Sequence, residues 1–322
     1  MLRTIVKRAG LCLVLAGLGL AAVWGGWHLV ELREPRVDFS PQLRVTGVPA
    51  PRPGGNDARL RFAVATMVSA EATFSTYRRL VRRISRSVGR EAKFVMRPSY
   101  AEVRRQLEEG QVDVAFVCTG TYVHGLREKR IKLLVQPEFP EGRQYRCLFI
   151  VPAQSPAKRI EDLRGKVLAL TDPESNTGCL VPAATLGDLG YKPKSFLRRV
   201  VFTGSHDRSI LAVAGAVVDC AAVDSLVWWS AARENPSLAG RVGVIWQSES
   251  FGPPPIVVPK GLSADLERSL YEAFLALDKD KEGREILSGI GVRRFVPADP
   301  ESYQSAVRLY QRLAERGGPS WP

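Results

Sequence analysis

The sequence predicts an α/β protein of two lobes, each a mixed, mainly parallel sheet flanked by helices, preceded by an N-terminal hydrophobic helix. Apolar runs of strand length alternate with helical periodicity along the chain, the pattern that buries a parallel sheet under helices. At 322 residues the chain exceeds the usual size of a single core. In one half of the chain an apolar strand twice runs into a short polar loop and then a helix, over residues 166–182 and 200–213. The 45% apolar and 25% charged composition is that of a folded globular chain.

Arg3, Lys7 and Arg8 precede an uncharged run over residues 9–30, long enough to span a bilayer with the positive end in the cytoplasm. Residues 1–30 are therefore a signal peptide or an N-terminal membrane anchor. A small-x-small cleavage site is hard to place near Ala21 and Ala22, and Trp24, Trp27 and His28 extend the run like an interfacial end, which favours an uncleaved anchor. The remainder of the chain is then periplasmic, tethered to the inner membrane, or secreted if the leader is cleaved. Residues 31–57 carry Pro35, Pro41, Pro49, Pro51, Pro53 and Gly54-Gly55, the composition of an extended linker.

The folded region, 58–322, opens with a strand over 60–65 and a helix whose apolar spacing includes Phe74, Tyr77, Val81, Ile84 and Val88. The next strand is at 93–96. Ser99 then caps a helix that opens at Tyr100, with Glu102 completing a capping box and Gly110 ending it. A third strand, 112–117, ends at Cys118. Strands at 132–135 and 146–151 lead to a second lobe over about 152–247, with strands at 166–170, 200–202, 218–223 and 242–246. Residues 255–259 return as a crossover strand, and helices over 264–277, 281–288 and 300–314 complete a first lobe made of 58–151 and 248–322. Ligands of such folds bind beyond the carboxyl ends of the strands.

Net charge is +13, yet Arg78-Arg79, Arg82-Arg83, Arg104-Arg105 and Arg293-Arg294 are scattered pairs without a nucleic-acid-binding module. Five cysteines form no C-x-x-C pair and no zinc spacing with the three histidines, and no cofactor motif occurs. Cys118, Cys147, Cys179 and Cys220 are either partners in one or two disulfides or buried free thiols. Ser205, His206 and Asp207 are adjacent and cannot face one another as a catalytic triad, and no G-x-S-x-G elbow is present. The sequence does not predict an enzyme.

The two polar loops carry the chemistry. Ser175, Asn176 and Thr177 offer cap oxygens and donors, Gly178 lets backbone approach closely, and the helix beyond aims unpaired N–H groups at the loop. Such runs also serve simply as helix caps. His206 opens the helix after the second loop, as a donor or a cap, and Asp224 ends strand 218–223.

The segments DPESNTGCLVP from Asp172 and TGSHDRSILAVAGAVVDCAAVDS from Thr203 resemble the phosphate-, phosphite- and phosphonate-binding proteins of ABC importers. GVRRFVPADPESY from Gly291 resembles them too, and the likeness covers about 58–317. These proteins have the type 2 periplasmic binding fold. The resemblance implies capture of a phosphorus oxyanion in an interlobe cleft by a monomer serving an ABC permease. A second role for the same fold is a membrane-anchored sensing or accessory module. The resemblance further implies ligand contacts at Ser175, Asn176, Thr177 and His206, the last strengthened if protonated. It also implies contacts at Tyr100 and Tyr122, whose hydroxyls would otherwise bond to backbone. Asp224 would serve a ligand amine or a protonated oxygen, or only cap its helix. The chain departs from that family's pattern at Asn176, where its members usually carry Thr or Ser, and in the proline-rich loop 249–255, where some carry a polar or acidic contact.

Overall fold

The computed structural model describes residues 59–321. The predicted leader and linker lie outside them. Among the described residues no helix is long and apolar enough to cross a membrane.

The first lobe begins with β1 (Leu60–Val64), α1 (Ala70–Ser87), β2 (Ala92–Val95), α2 (Tyr100–Glu108), β3 (Val114–Phe116), α3 (Thr119–Arg127) and β4 (Ile131–Glu138). The second holds β5 (Cys147–Pro152), β6 (Val167–Leu170), α4 (Val181–Asp188), β7 (Arg199–Phe202), α5 (His206–Ala214), β8 (Cys220–Asp224), α6 (Ser225–Glu234) and β9 (Val242–Gln247). The chain then returns through β10 (Ile256–Pro259), α7 (Ala264–Leu275), α8 (Lys281–Gly289), β11 (Arg294–Pro297) and α9 (Gln304–Glu315).

One sheet has the order β11-β4-β10-β3-β1-β2 and the other β7-β6-β8-β5-β9. In the first, β1 pairs in parallel with β2 and β3, while β10 runs antiparallel between β3 and β4. In the second, β6 pairs in parallel with β7 and β8, and β5 lies antiparallel to β8 and β9. Central strands are covered on both faces and read as unbroken apolar runs, such as Val114–Phe116 and Cys220–Val223. Strands β1, β3, β6, β7 and β8 therefore end on polar loops with nowhere to go but the space between the lobes.

The sequence boundary at 151/152 is corrected by the pairing. Leu148 lies opposite Val223 and Gln247, so β5 belongs to the second sheet and the first crossing falls within 139–146. The second crossing lies within 248–255. The crossings are tied to each other by an isolated antiparallel bridge, in which Phe251 N–H donates to the Tyr145 carbonyl at 2.9 Å. Helix α9 packs against α3 of one lobe and α4 of the other, with Arg316 bonded to Asp188 at 2.8 Å.

Ser99 caps α2 by accepting from Glu102 N–H at 3.3 Å, which is one half of the predicted capping box. Cys118, Cys147, Cys179 and Cys220 are all buried free thiols, so the disulfide alternative does not hold among the described residues.

Candidate functional site

The Asp172–Gly178 loop is folded by its own polar groups. Ser175 Oγ accepts from Gly178 N–H at 3.0 Å, and Thr171 N–H donates to the Gly178 carbonyl at 3.0 Å. Leu180 N–H reaches back five residues to the Ser175 carbonyl, so the first turn, Asn176–Leu180, is a π turn that widens the helix before α4. A Cβ on Gly178 would sit 2.4 Å from Thr171 Oγ1 and 2.9 Å from His206 Cε1. The close approach this glycine allows is thus to the Thr171 and His206 side chains.

His206 is 1% exposed. The Asp224 backbone N–H can only donate, and it points at His206 Nδ1 from 3.2 Å, with Thr171 Oγ1 2.9 Å from the same nitrogen. The ring hydrogen therefore resides on Nε2, which lies 3.5 Å from Ser175 Oγ. Burial lowers the His206 pKa to about 3. His206 is therefore a neutral imidazole with one aimed N–H, and the strengthening that protonation would bring does not apply near neutral pH.

This has a stability signature. With a folded pKa below the unfolded value of 6.5, His206 contributes fully above pH 6.5, and that contribution is lost as pH falls toward about 3. Urea unfolding of ligand-free protein is expected to show wild type losing about 2 kcal/mol relative to His206→Gln between pH 6.5 and pH 5. A constant difference would mean that the histidine titrates normally in the fold.

Asp224 is 2% exposed, and its Oδ1 accepts from Leu226 N–H at 2.7 Å, the cap of α6. Burial raises its pKa to about 7. Thr177 Oγ1 lies 3.4 Å from the Tyr145 hydroxyl, which is also 3.7 Å from Cys118 Sγ. Cys118 Sγ accepts from Asn176 N–H at 3.4 Å. Tyr100 is fully buried, and burial holds its phenol well above the ordinary range, with Cys118, Asp172, Asp224 and Asp207 adding to the shift. Asp224 likewise acts on Tyr77 and Tyr145. These groups share one electrostatic neighbourhood between the lobes.

Asn176 is the most informative of them. It is 1% exposed, yet neither Nδ2 nor Oδ1 makes a hydrogen bond with any described residue. The hydroxyls of Tyr100 and Thr121 are in the same condition. Sealed polar atoms of this kind cost about 1–3 kcal/mol each, so an amide with both of its polar atoms sealed calls for a partner.

The structure thus brings together Ser175, Asn176, Thr177, His206, Asp224 and Tyr100. Tyr122, on α3, has its ring edge-on against Tyr303 at 5.0 Å and lies in the same buried cluster as Tyr145. Tyr145 and Cys118 join the site without having been predicted. Tyr145 lies in a crossing, where no periodicity marks it.

Amide, hydroxyl and neutral imidazole donors gathered between the lobes have the chemistry to hold a small tetrahedral oxyanion. Fold and site together define a two-lobed solute-binding protein. Residues 62–303, three quarters of the chain, match the family model described as ABC transporter, phosphonate, periplasmic substrate-binding protein, and the chain belongs to that family. It is 25% identical over 187 residues to a probable ABC transporter phosphite binding protein of Prochlorococcus marinus, covering 53% of this chain and 62% of the relative. The match therefore spans somewhat under two thirds of that relative's length. Among solved structures, the binding component of an ABC phosphonate transporter from Pseudomonas aeruginosa superposes with a TM-score of 0.75 at 21% identity, covering 81% of this chain and 87% of that one. A Prochlorococcus marinus protein in complex with methylphosphonate superposes with a TM-score of 0.74 at 18% identity, covering 81% and 100%. Both share the type 2 periplasmic binding fold with this chain.

Proposed function

We propose that the chain captures a phosphorus oxyanion, phosphonate, phosphite or phosphate, between its lobes and delivers it to an ABC permease. It acts as a monomer, held at the inner membrane by its N-terminal helix, and catalyses no reaction. The observation that carries this is Asn176, whose amide is sealed between the lobes with both polar atoms unpartnered. The phosphite- and methylphosphonate-binding relatives support the same ligand class.

The test is thermal unfolding of the full-length protein with phosphite, methylphosphonate, phosphate, 2-aminoethylphosphonate, sulfate and acetate. Ligand at a thousand times its Kd adds about 4 kcal/mol and raises the midpoint by several degrees. A rise confined to phosphorus oxyanions is expected; none with any of them would overturn the proposal.

Asp224 adds a pH dependence. Its folded pKa of about 7 means that its carboxylate form opposes an anion above that pH, while the protonated form below it does not. Calorimetric titration is expected to show affinity falling up to about tenfold per unit above pH 7, with Asp224→Asn removing that part of the slope. The ligand's own ionisation is common to both proteins. Parallel profiles would place Asp224 outside the binding equilibrium.

A further inference from the structure

A set of contacts joins the lobes without using the donors assigned to ligand. Arg104, on α2 of the first lobe, reaches Glu174 in the second-lobe loop, with Nε 3.1 and 3.2 Å from the two carboxylate oxygens and Nη2 2.9 Å from Oε1. This fork geometry is the strong, directional form of an ion pair. The Glu174 side chain is 9% exposed, and Glu174 immediately precedes Ser175. Arg104 Nη1 also holds Glu108, one helical turn along, at 2.8 Å. That local pair keeps the guanidinium aimed across the cleft even when the lobes part, so closing adds a second carboxylate to a cation already in position.

The neighbouring contacts have the same character. Asp207 of α5 accepts from Ser69 N–H at the start of α1, at 2.9 Å, and Asp172 accepts from Tyr100 N–H at the start of α2, at 3.2 Å. Each is a second-lobe carboxylate at a first-lobe helix N-terminus, the favourable end of the dipole. The His206 backbone N–H donates to the Met67 carbonyl at 3.0 Å.

We propose that Arg104 and Glu174 form an interlobe clasp that closes the protein without ligand, positions the Ser175–Thr177 donors, and so sets affinity from outside the ligand's contact shell. Arg104 is a positioning residue. This rests on the assignment of the cleft as the oxyanion site, but closure itself can be read with no ligand present. Apparent affinity scales with the fraction of protein in the closed form, so a weaker clasp weakens binding with the donors intact.

The experiment is hydrogen–deuterium exchange of the full-length protein, wild type, Arg104→Gln, Glu174→Gln and the double variant, with and without methylphosphonate or phosphite. In ligand-free wild type, peptides holding the Ser69, Tyr100 and His206 amides are expected to be protected. Each single variant should exchange there about tenfold faster and show a Kd about tenfold higher, with the double variant no worse than either single. Unchanged protection of β3 and β8 reports that the lobes remain folded. Equal exchange in wild type and variants would overturn the clasp. Failure of the ligand assignment would look different: no anion would add protection, while the ligand-free difference between wild type and variants persisted.

Discussion

Replacing Gly120 with alanine is expected to hold the lobes apart and cost about a hundredfold in ligand affinity, with the ligand-free fold intact. A Cβ at this position would lie 2.1 Å from the Glu174 carbonyl oxygen and 2.9 Å from Asn176 N. Both neighbours are backbone of the opposite lobe and cannot swing aside as a side chain would. Gly120 sits in the first turn of α3, where alanine is the better helix former by about 1 kcal/mol, so the open form gains stability as the closed form loses it. Calorimetry against phosphite and methylphosphonate gives the affinity, and small-angle scattering gives the lobe separation. Wild-type affinity in Gly120→Ala would show that the lobes do not approach this closely when ligand is bound.

The second large effect is expected from Asn176→Asp, a change of almost no volume. It converts the amide donor into a carboxylate that only accepts, removing a hydrogen bond to a charged ligand worth about 1.5–3 kcal/mol. It also adds like-charge repulsion inside a closed space, where repulsion is poorly screened. Binding should weaken by about a thousandfold or more. Asn176→Thr, which supplies the hydroxyl that the resemblance leads one to expect there, should retain much of the affinity. If Asn176→Asp binds phosphite as wild type does, the unpartnered amide faces something other than the ligand.

The alternation of strands and helices was legible because strands such as β3 and β8 are buried on both faces, and total burial leaves an apolar run that short-range inspection detects. The two donor loops were legible for a similar reason. Cap residues and a glycine between an apolar strand and a helix are a local signal, and Ser175 does cap its turn. What escaped was set at long range. The apolar run of β5 marks a strand, but only its pairing with β8 and β9 says which lobe owns it. Tyr145 acquires its place through a crossing that meets Phe251, and Arg104 meets a carboxylate 70 residues away. The edge-on contact of Tyr122 with Tyr303 likewise joins residues 181 positions apart, which no local pattern signals. The charge state of His206 was out of reach because burial, which depresses its pKa, belongs to the assembled protein and not to the residue.

The bridge between Tyr145 and Phe251 limits how the molecule can move. A single connecting strand can swivel about any of its bonds, whereas two strands hydrogen-bonded to each other can only bend or twist as a ribbon. A hinge of that form restricts any parting of the lobes to bending or twisting of the paired crossings. The same ribbon carries Tyr145 to Thr177, while Tyr100 N–H meets Asp172 across the lobes, so the register of the crossings fixes which polar groups of the two lobes face one another.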